Sequence, residues 1–154
     1  MAAKWGKHSL RVISWNVRKP PRGELDAFMD TLHCDLSWHI LLLQEFSGGS
    51  TGRLLELRGG HKLYHNSPQD GRSKVAIVVY RDFEGDIEMS RHRGHSLSLD
   101  ITWGKKRMRV VTSHLNPYRD MEGYEADLKD FEYLVADAGD REVILGSGCS
   151  DRVV

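Results

Sequence analysis

Two unbroken apolar runs of strand length, Ile40–Leu43 and Val75–Tyr80, constrain this chain more than any other feature. A strand with no polar alternation suits a sheet that is covered on both faces. The stretch with Leu97, Leu99, Ile101 and Trp103 behaves differently, because Ser98, Asp100 and Thr102 fall between these residues. That period of two marks a half-exposed strand. Gly104 to Lys106 offer a hairpin turn into Met108–Thr112, which makes these two strands antiparallel neighbours. Further strands are expected at Leu10–Val17, a strong segment stopped by Pro20-Pro21, at Ile87–Met89, a weaker one, and at Val143–Leu145, a short one.

Helical spacing appears between the strands. Leu25, Phe28, Met29 and Leu32 predict a helix over Glu24–His33, and Ser50 or Thr51 is placed to cap a short helix that runs to Leu57 and stops at Gly59-Gly60. A longer helix is predicted over Met121–Ala136. Its apolar face carries Met121, Tyr124, Leu128, Phe131 and Leu134 or Val135, and its polar face Glu122, Glu125, Asp127 and Lys129. The expected fold class is α/β (α+β), a mixed β-sheet or a sandwich of two sheets flanked by helices, rather than a doubly wound parallel sheet.

The chain has 154 residues, enough for one domain with a substantial core. Lys plus Arg and Asp plus Glu both number 22, so no overall basic balance argues for nucleic acid. Charge is uneven locally, with clusters at Arg18, Lys19 and Arg22, at Arg91-His92-Arg93, and at Lys105, Lys106 and Arg107 with Arg109. Two cysteines, Cys34 and Cys149, make no disulfide framework and suit a reducing compartment. The N-terminus lacks an apolar signal core, and the apolar runs are far too short to span a bilayer as helices. These features predict an intracellular protein, nuclear or cytoplasmic, that is not secreted. His8, His33, His39, His61, His65, His92 and His95 show no metal-ligand spacing with the cysteines and read as surface or structural residues.

Three polar residues terminate apolar strands, where α/β folds commonly place their sites. Asn16 lies in Ile13-Ser14-Trp15-Asn16-Val17, Glu45 ends Ile40-Leu41-Leu42-Leu43-Gln44-Glu45, and His114 closes Val110-Val111-Thr112-Ser113-His114. A carboxylate leaving a buried strand is costly to desolvate unless a cation or another partner meets it. Mg2+ is such a cation, because it needs only one or two carboxylates and takes waters and substrate phosphate as its other ligands. An asparagine orients phosphate without adding negative charge, and a histidine can donate to a phosphate oxygen or move a proton.

In order, Ile-Ser-Trp-Asn-Val, Ile-Leu-Leu-Leu-Gln-Glu, Lys-Val-Ala-Ile-Val-Val-Tyr-Arg and Val-Thr-Ser-His-Leu resemble the signature of the endonuclease/exonuclease/phosphatase (DNase I-like) superfamily. That group includes the endonucleases of LINE-type retrotransposons. The resemblance implies that Glu45 binds metal, that Asn16 lies beside metal and phosphate, and that His114 contacts the scissile phosphate. It implies Mg2+, with Mn2+ as a substitute, and hydrolysis of a phosphodiester or phosphomonoester. Nucleic acid is the expected partner, with a phosphorylated small molecule or lipid as the other class.

The pattern breaks after Val143-Ile144-Leu145-Gly146. Where the family continues with an Asp-x-Asn motif, Gly148 stands at the aspartate position and Ser150 at the asparagine position. The terminal Ser-Asp-His type motif is also missing, so the expectation is one C-terminally incomplete domain over residues 1–154. A sheet face left uncovered would favour self-association. Two functional readings follow. One is a hydrolase-family domain, endonuclease-type and inactive as this chain. The other is a non-catalytic nucleic-acid-binding module that uses the basic hairpin Lys105, Lys106 and Arg107.

Overall fold

The computed structural model describes residues 9–17, 27, 29–31, 37–46, 54–57, 59–66, 74–115 and 120–148. The strands are β1 (Val12–Asn16), β2 (Ile40–Phe46), β3 (Leu54–Glu56), β4 (Lys62–His65), β5 (Lys74–Val79), β6 (Asp86–Arg93), β7 (Ser96–Trp103), β8 (Lys106–His114) and β9 (Glu142–Gly148). A helix, α1 (Met121–Ala136), lies between β8 and β9 in the chain. The first sheet has the order β1-β2-β5-β4-β3 and the second the order β6-β7-β8-β9. The two pack face to face as a mixed α/β sandwich, because β1 runs parallel to β2 and β9 parallel to β8 while the other pairs are antiparallel.

The unbroken runs account for the first sheet. Ile40, Leu42, Val75, Ile77 and Val79 point inward against Leu97, Leu99, Ile101, Met108 and Val110 of the second sheet. Leu41, Leu43, Ala76 and Val78 point outward, into a second cluster with Met29, Trp38, Phe46, Leu63 and Tyr80. Burying each such side chain contributes about 1.5–3 kcal/mol. The chain therefore supplies strands to both sheets and their inner faces cover each other. This changes the expected uncovered face: the exposed apolar residue on the outer side of β9 is Leu145.

Three local expectations change as well. Residues 54–56 form strand β3, not the end of a helix, and Gly59-Gly60 serve a hairpin between β3 and β4. Gly60 adopts φ +85°, and the Leu57 N–H donates to the His61 carbonyl at 2.9 Å. Strand pairing across the hairpin overrides weak local helix propensity. Ser98 and Asp100 are buried rather than half-exposed, because the second sheet's outer face lies under α1. Asp127, assigned to the helix's polar face, is buried there with Leu134, while Met121 is exposed. The Asp120 carboxylate caps α1 by accepting from the Gly123 N–H at 2.6 Å.

Residues 29–31 are helical, in keeping with the helix predicted over Glu24–His33. The rest of that segment, apart from Ala27, lies outside the described residues. The basic cluster Arg18, Lys19 and Arg22, the proposed caps Ser50 and Thr51, and Ser150 lie outside them too. No helix among the described residues is long and apolar enough to cross a membrane.

Candidate functional site

Strand register arranges the inner faces in layers. Val12 pairs with Ile40 and Val110 with Ile144, an apolar base. Next come Ser14 beside Leu42 and Thr112 beside Gly146. The last layer has Asn16 beside Gln44 in the first sheet and His114 beside Gly148 in the second. The sandwich thus turns from apolar to polar towards one end. Asn16, Glu45 and His114, which are 29 and 69 residues apart along the chain, are gathered there.

Small side chains allow the two sheets to approach closely below that end. A Cβ added at Gly146 would stand 2.7 Å from the Ser14 hydroxyl oxygen and 2.8 Å from Leu42 Cδ1. Gln44 spans the gap. Its amide nitrogen lies 3.1 Å from Ser14 Oγ, 3.0 Å from Thr112 Oγ1 and 3.2 Å from the Leu42 carbonyl. The Thr112 hydroxyl in turn donates to the Leu43 carbonyl at 3.4 Å. A second link ties the sheets nearby. The buried Asn66 donates to the Gly94 carbonyl at 3.0 Å and accepts from the Val75 N–H at 2.9 Å. The Ser96 and Ser113 hydroxyls share a buried hydrogen bond of 2.8 Å, and the His114 N–H donates to the His95 carbonyl at 3.1 Å.

Glu45 occupies a special backbone. Its φ is +53°, in the left-handed region that a non-glycine residue rarely enters. The register with β5 slips between Leu43 and Phe46, so β2 carries one extra residue there. The bulge explains why Gln44 faces the second sheet while Phe46, two residues on, packs in the outer cluster instead. Bulges of this kind re-aim a side chain at the end of pairing. Glu45 and Asn16 are half-buried, and His114 is 8% exposed.

A divalent ion can be weighed against this donor set. Among the described residues no group of three or more His, Cys, Asp or Glu could hold a metal ion. One carboxylate at Glu45 with the Asn16 amide next to its strand is an all-oxygen set. It fits a hard cation that takes most of its ligands from water and phosphate, and it does not fit a tightly held transition metal.

The third predicted group lies elsewhere. Lys105, Lys106 and Arg107 are exposed at the β7–β8 turn, where Gly104 adopts φ +60° and Trp103 pairs with Lys106. His114 is at the far end of the same strand, about 25 Å away at the usual rise per residue. At this end charge does the tethering. Arg109 is fully buried, chelates Asp100 at 2.6 and 2.9 Å and donates to the Leu134 carbonyl at 2.8 Å. The Asp100 hydrogen bonds hold the Arg109 guanidinium pKa above its ordinary value despite burial. On the surface, Arg141 meets Glu88 at 2.8 Å and Arg107 meets Asp140 at 3.4 Å. Hydrogen bonds from Thr102 first, and then from Arg141, hold the Glu88 carboxyl below the usual range.

Gln44 and Asn66 are the residues that the strand-end argument passed over. The available signal was a polar side chain inside an otherwise buried run, which a folded protein must satisfy with hydrogen bonds. Gly148, which the broken motif puts at the aspartate position, pairs with His114 and brings no side chain.

At the level of sequence, no family model and no curated protein matches the chain. Solved structures do. The endonuclease domain of TRAS1, a telomere-specific non-LTR retrotransposon, superposes with a TM-score of 0.67 at 18% identity, covering 94% of this chain and 60% of that one. D. rerio TDP2 complexed with a single-strand DNA product gives 0.64 at 16% identity, covering 93% and 61%. The Bacteroides thetaiotaomicron mannosyl-6-phosphatase Bt3783 gives 0.64 at 14% identity, covering 90% and 64%. The chain spans about three fifths of the length of these structures. The chain therefore shares the fold of these structures, the DNase I-like sandwich of two mixed sheets that the sequence led us to expect.

Proposed function

We propose that the chain is an endonuclease-type phosphoesterase domain that binds a nucleic-acid phosphate and is impaired in hydrolysis. The observation that carries the reading is the final layer of the sandwich, in which Asn16 pairs with Gln44 and His114 with Gly148. Glu45, with Asn16, would hold a divalent ion such as Mg2+ or Mn2+. When bound, that ion supplies stabilisation of negative charge on phosphoryl oxygens. The Asn16 amide would orient the phosphate, and the His114 ring would donate to an oxygen or move a proton. At position 148 no carboxylate is available to orient or deprotonate an attacking water. Losing one member of a cooperating site commonly lowers the rate by several orders of magnitude. The nuclease and phosphatase structures that share the fold support this substrate class.

The test compares binding and cleavage of a labelled DNA oligonucleotide in Mg2+ or Mn2+. Wild type is expected to bind DNA with little turnover, Glu45→Gln to weaken the metal-dependent part of binding, and Gly148→Asp with Ser150→Asn to raise turnover at least about tenfold. Brisk wild-type cleavage that those two substitutions leave unchanged would sink the reading. The exposed cationic turn supports a second reading, a binding module independent of metal. In the same assay, reversing charge at Lys105 and Arg107 would then flatten the salt dependence of binding while Glu45→Gln left it intact.

A further inference from the structure

We infer that Gln44 is the positioning residue that sets the spacing of Asn16, Glu45 and His114. Its strand position is linked to the supports of all three. Its carbonyl accepts from the Val17 N–H at 3.0 Å, which holds the end of β1 against β2, and its backbone pairs in register with Asn16. Glu45 follows it directly, on the left-handed bulge. Its side chain crosses the sandwich to Thr112, two residues before His114 on β8. A buried primary amide with 1% exposure is costly to hold without partners, and here one nitrogen reaches an acceptor on β1, on β2 and on β8. The alternative, a methionine or leucine of similar volume, would fill the gap and lose this directionality. Apolar contacts permit two sheets to slide, whereas hydrogen bonds fix their relative register.

Gly146 is part of the same device. Its missing Cβ lets β9 close on Ser14, and that closeness brings Thr112 within reach of the Gln44 amide. The polar bridge is therefore built into three strands at once. Its hydroxyl acceptors, Ser14 and Thr112, lie one layer below Asn16 and His114.

The inference rests on the reading of Asn16, Glu45 and His114 as the phosphate and cation groups, and its test separates the two. Gln44→Met and Thr112→Val each remove the bridge while keeping volume. Val78→Ala, on the outer face of the first sheet, serves as a control that loosens packing without touching it. Two readouts are taken: the NMR resonances of the Asn16 side-chain amide and the His114 ring, and Mn2+ affinity. Both bridge variants are expected to move the Asn16 and His114 resonances together, well beyond Val78→Ala, and to weaken Mn2+ binding about tenfold, as loss of supporting hydrogen bonds around a metal site commonly does. Resonances that move no more in Gln44→Met than in Val78→Ala would overturn the positioning role. Absence of Mn2+ binding by wild type would count against the metal reading alone, because the resonances still decide the role of Gln44.

Discussion

The two ends of the sandwich are tied together by opposite means. At the end with Asn16, Glu45 and His114, neutral groups bridge the sheets: the Gln44 amide, the Ser14 and Thr112 hydroxyls, and the Asn66 amide. Away from it, the second sheet, α1 and the loop after α1 are held through charge: buried Arg109 chelates Asp100 within the sheet and donates to the Leu134 carbonyl of α1, and Arg91, Arg107 and Arg141 meet Asp137, Asp140 and Glu88. The contrast has a physical reason. A site for an anion and a cation needs a local field set by its own few charged groups, and neutral dipoles hold geometry without competing for either ion. The far end has no such demand, so ion pairs can consume its basic residues there and leave Lys105 and Lys106 exposed at the turn.

The difference can be attacked from both ends. The largest effect is expected from Arg109→Met, which strands the Asp100 carboxylate in the interior with Arg141 Nε, 3.9 Å away, as its remaining cation. Breaking a buried pair in this way costs about 3–5 kcal/mol, to be read as a lower urea midpoint. Replacing both partners, Asp100→Leu with Arg109→Met, should recover most of the loss; no recovery would mean that the Leu134 carbonyl contact, not the ion pair, anchors α1. Next comes Gly146→Ala at the neutral end. Its new methyl meets Ser14 and Leu42, and the clash is expected to cost about 1–3 kcal/mol and to shift the Asn16 resonances, which Arg109→Met should leave in place. The smallest effect belongs to the exposed Glu88. Its folded pKa lies below the unfolded one, so its contribution is fully present above the ordinary glutamate range and is lost as pH falls below that range through the lowered folded value. Thermal melts of wild type and Glu88→Gln should therefore differ at neutral pH and converge in acid; a gap that widened in acid would contradict the assignment.

Much of this was legible from the residues. The unbroken runs at Ile40–Leu43 and Val75–Tyr80 marked strands covered on both faces, and the alternation at Leu97, Leu99 and Ile101 marked the apolar face of β7, because burial imposes its period directly on the chain. The helix over Met121–Ala136 has the expected bounds, although Met121 is exposed and Asp127 buried. What one strand cannot reveal is what lies over it. Ser98 and Asp100 look like solvent positions and are buried because a distant helix covers them, and Asp127 is buried for the complementary reason. Leu54–Glu56 reads as a helix end, since the strand it pairs with is itself short and mixed in character. The strand-end rule brought Asn16, Glu45 and His114 to one place. It said nothing of which end Lys105, Lys106 and Arg107 would occupy, because that depends on counting residues along β8 and not on their chemistry.

The left-handed backbone at Glu45 bears on how such a chain changes over generations. A side chain held at φ +53° destabilises the fold by about 1–3 kcal/mol, and glycine at that position would relieve most of it. Random substitution should therefore favour loss of this carboxylate on stability grounds alone. The bulge acts as a ratchet in that sense: a lineage that ceases to use the acidic group is drawn away from it, and the way back requires accepting a less stable protein.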